Sequence, residues 1–382
     1  MNRRTFLTAI TSSLAATQLA GPAYASASPS GSTAGHYEVV ARFWGAMPTG
    51  VTVSRRGRVF VNFPRWGDDV PFTVAELRGG KPVAYPNAEV NRQDASDLAG
   101  HLQSVQSVVV DGADRLWILD TGSPLFAGSS YGGPKLVAVD LRTDRIVRTI
   151  LFPPEVVPAN SYPNDVRFDL RRGAQGTAFI TDSGGSNGII VVDLATGRSW
   201  RRLTGHPSTL PDKQFLPIID GQPFMVRPAG GEPTYYETGS DGIALSADGT
   251  RLYYCPLSSR RLHSVSTDAL ADPDAEVAAT VENLGFKPMA DGLESDDKGR
   301  LYGGDLEHNA IWRRNPNGTY RTLAQGTDLN WIDTLSVASD RHLYATANQL
   351  DRLAPFHEGQ DLRRKPYLLV RLPIDAGPVR LV

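Results

Sequence analysis

The chain has 382 residues, 41% of them apolar and 21% charged, a globular composition with enough length for a large core. A formal net charge of −2 offers no global field for nucleic acid. No apolar run approaches the roughly 18 residues that a membrane-spanning helix needs.

The first 28 residues, "MNRRTFLTAITSSLAATQLAGPAYASAS", have a basic start, a mildly apolar middle and Ala23-Tyr24-Ala25, an A-x-A cleavage signal. Arg3-Arg4 followed by Thr5-Phe6-Leu7 resembles a twin-arginine export signal; a generic secretory signal is the alternative. The expected organisation is an export signal over 1–25, a flexible leader over 26–35 ("SASPSGSTAG") and one domain over 36–382, in a secreted or periplasmic protein. Cys255 is the only cysteine, so no internal disulfide can form. It follows Tyr253-Tyr254 in a strand pattern and reads as a buried apolar filler.

From Thr49 onward, 37 glycines and 27 prolines across the chain punctuate short runs of Val, Ile, Leu and Tyr, while helical periodicity is scarce. One pattern recurs: a polar opener, an apolar strand, a Gly/Asp-rich turn, and a second strand led by an apolar-aromatic pair. The copies are "TGVTVSRRGRVFVNF" from Thr49, "QSVVVDGADRLWILD" from Gln106 and "NDVRFDLRRGAQGTAFITD" from Asn164. They continue with "DGIALSADGTRLYYC" from Asp241, "DGLESDDKGRLYGGD" from Asp291 and "DTLSVASDRHLYATA" from Asp333. A hairpin repeat of this length without helices predicts an all-β, six-bladed β-propeller. Outer hairpins are expected at 135–150, 188–203, 261–270 and 310–323, with turns at Asp144, Thr196-Gly197 and Asn317-Gly318. "HYEVVARFW" (36–44) and "YLLVRLPI" (367–374) bracket the repeats, so one terminus is expected to complete a blade begun by the other. The polar, Pro-rich stretch 204–239 reads as a large loop over one face.

The innermost strand of each blade lines the channel, so Thr49, Gln106, Asn164, Asp241, Asp291 and Asp333 are expected to converge on one mouth. The competing reading is that Asp-Gly only shapes the turn entering the strand.

These blocks resemble the yellow/major royal jelly protein family, through "GRVFVNFPRWGDDVPFTVAEL" (57–77), "VQSVVVDGADRLWILDTG" (105–122), "TAFITDSGGSNGIIVVDLATGRSWR" (177–201), "DGIALSADGTRLYYCPLSSRRLHSV" (241–265) and "LNWIDTLSVASDRHLYATANQL" (329–350). The resemblance implies a secreted six-bladed propeller that binds small amines or aromatics in its channel, with a tautomerase activity attributed to relatives. Insect members usually carry disulfides, which this chain cannot form, so a bacterial branch is implied. The repeats are also similar to the gluconolactonase/regucalcin family, in which a Glu, two Asn and an Asp hold a divalent metal at the mouth. Carried over, the first Asn matches Asn164 with Asp165 beside it, the second falls on Asp241, and the Asp matches Asp291. The Glu falls on Thr49, a departure that Gln106 and Asp333 could offset with oxygen ligands suited to calcium.

Ser183-Gly184-Gly185 reads as a turn rather than a nucleophile elbow, since no strand-turn-helix follows. The seven His show no zinc spacing. His308 sits between Glu307 and Asn309 after an inner strand, as a turn residue or as an acid/base group. Trp66 and Trp331 could stack on a ligand or fill contacts between blades.

Three functions stay open. The first is binding of a small polar or aromatic molecule at the mouth through Gln106, Asn164, Asp165, Asp241, Asp291, Trp331 and Asp333, with calcium on Asn164, Asp241 and Asp291. The second is a metal-dependent lactonase-type hydrolase, or a tautomerase, with Asp291, Asp241 and His308 as catalytic candidates. The third is a non-catalytic interaction propeller. A monomer with a small-molecule partner is expected.

Overall fold

Each of the six repeats folds as the inner pair of a four-stranded antiparallel sheet. The inner strands are Val51–Val53, Val105–Val110, Pro163–Asp169, Ser240–Leu245, Leu293–Ser295 and Ile332–Val337, which number the blades one to six. Each inner strand packs against the next, and blade six packs against blade one, closing a ring around a central channel. The protein is therefore an all-β, six-bladed β-propeller. The computed structural model describes residues 35–382; the expected export signal (1–25) and all but the last residue of the expected leader (26–35) lie outside the described residues.

Closure of the ring uses both ends of the described chain. Glu38–Phe43 is the outermost strand of blade six, paired antiparallel with Tyr367–Pro373. Glu38 lies opposite Arg371 and forms an ion pair with it at 2.7 Å. A sheet that ends on a strand from the other terminus leaves no gap in the ring.

The blades adhere through apolar faces. Leu119, Leu136 and Ile150 of blade two meet Val166, Ile180 and Ile190 of blade three, all buried. Each such side chain contributes about 1.5–3 kcal/mol by leaving water. The inner hairpins are fixed by a second, structural Asp. Asp111 accepts hydrogen bonds from the Arg115 backbone N–H, the Arg115 Nε and the Trp117 indole at 2.8–3.0 Å. Asp296 binds Arg300 and the Tyr302 hydroxyl in the same way. The repeated Asp, Arg and aromatic residue form one bonded unit across the turn.

The Gly of the Asp-Gly opener has its own cause. A Cβ on Gly242 would collide with the carbonyl oxygen of Asp291, and one on Gly292 with that of Asp333. The Gly292 N–H donates to that Asp333 oxygen at 2.9 Å. Glycine lets the inner end of one blade sit directly against the next.

The stretch 204–239 contains two short ribbons, Ile218–Ile219 with Gln222–Pro223 and Met225–Val226 with Thr234–Tyr235. The expected outer hairpin at 261–270 is corrected: Arg261–Ser266 is one strand, followed by the one-turn helix Thr267–Ala271. Ser266 caps that helix by accepting from the Ala269 N–H, and the fourth strand of blade four is Glu282–Phe286.

Candidate functional site

The upper end of the channel widens into a cavity of about 640 Å³. Gln106, Asn164, Asp241, Asp291 and Asp333, five of the six openers, line it. Four inner strands carry a register shift at the opener: between Val105 and Ser107, Pro163 and Val166, Ser240 and Ile243, and Ile332 and Leu335. A bulge of this kind interrupts strict alternation and re-aims side chains at the strand end.

Thr49, the sixth opener, faces the wall. Its hydroxyl accepts from Asn62 Nδ2 at 2.8 Å, and its carbonyl accepts from Thr346 Oγ1. Asp165 is buried but does not line the cavity. Trp331 also stays out of the lining, and its indole N–H donates to Asp291 Oδ2 at 2.7 Å. His308 lies away from the cavity on an exposed turn, with Nδ1 about 2.9 Å from Asp305. Its neighbour Glu307 binds Arg260 and the Ile218 N–H, which anchors the 204–239 stretch. Trp66 lines the cavity wall.

The floor is acidic and buried. Burial first, and then the negative charge of Asp291, push the Asp241 and Asp333 carboxyls well above the usual carboxylate range. Burial also pushes Asp291 up to about 6, while hydrogen bonds from Asp241 and Trp331 hold it down. Burial raises Asp165 too, opposed by the charge of Arg167. Asp333 Oδ2 accepts from Asn348 Nδ2 at 2.7 Å.

The walls are aromatic. Trp66 and Phe126 stack with centroids 5.0 Å apart, and Phe126 leans on Tyr162 at 5.5 Å. Trp66 Nε1 donates to the Tyr162 hydroxyl at 2.9 Å, which donates to Gln106 Oε1 at 3.1 Å. Asp182 accepts from the Tyr162 N–H and is itself paired with Arg201 at 2.7 Å, so Tyr162 stands on a fixed backbone. Tyr236 and Phe356 meet edge to face at 5.5 Å and complete the lining. Leu125 and Phe126 both hold left-handed backbone, φ 56° and 57°, and Phe126 is 61% exposed. Strained non-glycine backbone of this type clusters at ligand clamps. Phe126, Tyr162, Tyr236 and Phe356 were missed by the repeat because they lie outside its phase; the one sequence signal was their aromatic character in loops.

The oxygen donors are of the kind calcium accepts. Their arrangement does not fit a centre as it stands: Asp291 is engaged by Trp331 and Asp241, Asp333 by Asn348, and Asn164 Nδ2 by Ser183. Among the described residues no three His, Cys, Asp or Glu side chains gather to hold a metal. Ser183 lines the cavity, with no histidine among the described residues of its lining.

Comparison with known proteins agrees with this architecture. Protein yellow of Drosophila erecta is 31% identical over an alignment 240 residues long, which covers 59% of this chain and 42% of that protein. The chain thus matches about two fifths of the length of that relative. Among solved structures, a luciferin-regenerating enzyme superposes with TM-score 0.56 at 12% identity, covering 91% of this chain and 99% of that one. A gluconolactonase from Xanthomonas campestris gives TM-score 0.52 at 12% identity, covering 88% and 89%. At such identity these two likenesses concern the fold alone. The family model described as major royal jelly protein matches residues 103–368, from blade two into blade six, and the chain belongs to that family.

Proposed function

We propose that this propeller binds a small aromatic molecule carrying a cationic or hydrogen-bond-donating group at the mouth of its channel. The observation that carries this reading is the junction of an acidic floor with aromatic walls in one cavity of about 640 Å³. Desolvated carboxylates favour a ligand that brings positive charge, and ring faces favour a flat or cationic partner. Gln106 and Asn164 add amide groups that fix orientation. Equilibrium binding of aromatic ammonium compounds tests the reading. Phe126→Ala should weaken binding about tenfold, and Asp291→Asn should weaken it more. Binding unchanged in both variants would remove the proposal.

Calcium on Asn164, Asp241 and Asp291 is the second reading, supported by two buried neighbouring carboxyls whose repulsion a divalent ion would relieve. A calcium-dependent rise in melting temperature, lost in Asp291→Ala, supports it; no rise in the wild type removes it and the metal-dependent lactonase reading with it. Export is part of the proposal, supported by Arg3-Arg4 and Ala23-Tyr24-Ala25. Replacing both arginines by lysine should block twin-arginine export, and normal export of that variant leaves a generic signal.

A further inference from the structure

A second cavity, of about 670 Å³, opens beside the first and shares Phe356 with it. Its walls come from two segments distant in sequence, the ribbons at 218–235 and the connection at 350–364 in blade six. Arg352 is neutralised by Asp220 at 2.6 Å. Asp351 also lines this cavity, with a buried carboxyl that burial pushes up to about 6 and whose Oδ1 has no hydrogen-bond partner among the described residues. The remaining cations are Arg227 and Arg364, and among the described residues neither guanidinium meets a carboxylate; Arg227 donates only to the Pro223 carbonyl, at 3.0 Å. Besides Asp351, Glu358 is the remaining carboxyl of the wall, and it is exposed.

Both arginines stand on pinned backbone. The Arg364 N–H donates to Gln349 Oε1 at 2.7 Å, and the Arg364 carbonyl accepts from Gln349 Nε2 at 2.7 Å. The Arg227 N–H donates to the Pro355 carbonyl, and the Glu358 N–H donates to the Arg227 carbonyl, both at 2.8 Å. Three residues of this region, Asp220, Gln349 and Glu358, hold left-handed backbone at φ 49°, 62° and 54°. Such strain persists where surrounding bonds over-determine it. The outcome is two planar donor forks on pinned backbone that line one concavity without a carboxylate partner among the described residues, a chemistry that suits an oxyanion.

We propose that this second cavity is a binding site for a small oxyanion, a carboxylate or phosphate group, held by Arg227 and Arg364. Because Arg227 belongs to the 204–239 stretch and Arg364 to blade six, the anion fastens that stretch across the mouth. The site is independent of any ligand in the first cavity.

Calorimetric titration with inorganic phosphate, and separately with acetate, at constant ionic strength tests this. Saturable binding by the wild type is expected, weakened at least tenfold in Arg227→Gln/Arg364→Gln and unchanged in Asp291→Asn. Should the double variant fail to fold, the exposed single change Arg364→Gln gives the same reading. Hydrogen exchange over 218–235 should slow on anion addition in the wild type alone. Absence of saturable binding by either anion, or equal binding by the arginine variants, overturns the proposal.

Discussion

Trp331 donates its indole N–H to Asp291 Oδ2 at 2.7 Å from a left-handed backbone, φ 53°. A tryptophan adopts that conformation only where something holds it there. Here the strained residue of blade six steadies the carboxylate at the head of blade five, so the acidic floor is braced from the neighbouring blade. Trp331→Phe keeps a ring and removes the donor. The titration of Asp291 should then move above about 6, read from the pH profile of the melting temperature. An unmoved profile would show that the bond does not support the carboxylate.

The floor carries a stability penalty with a defined sign. Asp291 is raised from 3.8 to about 6, so the folded protein binds that proton more tightly than the unfolded chain. Its contribution is fully present below about pH 4 and is lost as pH rises through about 6. Two pKa units correspond to about 3 kcal/mol. Asp291→Asn removes the charge while keeping the shape, so it should raise the melting temperature at pH 8 and leave it nearly unchanged at pH 4. A loss of stability at pH 8 would contradict this assignment.

The glycine of the opener yields a packing prediction. Gly242→Ala drives a methyl group into the Asp291 carbonyl of the next blade and should destabilise by more than about 2 kcal/mol. Gly45 has no atom within 4 Å of the added Cβ, so Gly45→Ala should be neutral within about 0.5 kcal/mol. Urea unfolding of both variants checks the contrast, and equal midpoints would refute it.

The hairpin Asp is separable from the site Asp by the same method. Asp296→Ala strips Arg300 and Tyr302 of their shared acceptor. A loss of about 3 kcal/mol or more is expected, because the Arg300 side chain is nearly buried. Ligand affinity should be unchanged in whatever fraction remains folded; a matching fall in affinity would place Asp296 in the site.

Much of this was legible because the repeat is long and its parts are distinct. The strand–turn–strand pattern marks the inner hairpins, and the apolar runs at 36–44 and 367–374 mark the closing blade. The openers were legible as a register, since strand starts at equivalent positions face the same end of the channel. What sequence spacing could not supply was the bulge, which depends on pairing with a second strand. Asn164 and Asp165 both lie within such a bulge, and only Asn164 lines the cavity. Thr49 also escaped, because its fate is decided by Asn62 and Thr346 on other strands. Phe126 and Tyr236 come from loops without periodicity, and only the folded ring brings them to Asp291.

The most direct test of the central claim compares 2-phenylethylamine with 2-phenylethanol by calorimetry on the protein at pH 7.5. The two probes share ring and length and differ in the ammonium group. An acidic floor beneath aromatic walls requires the amine to bind at least about tenfold tighter, roughly 1.4 kcal/mol, and requires Asp291→Asn to erase most of that difference. Equal affinity for the two probes, or a preference that survives Asp291→Asn, would contradict the account.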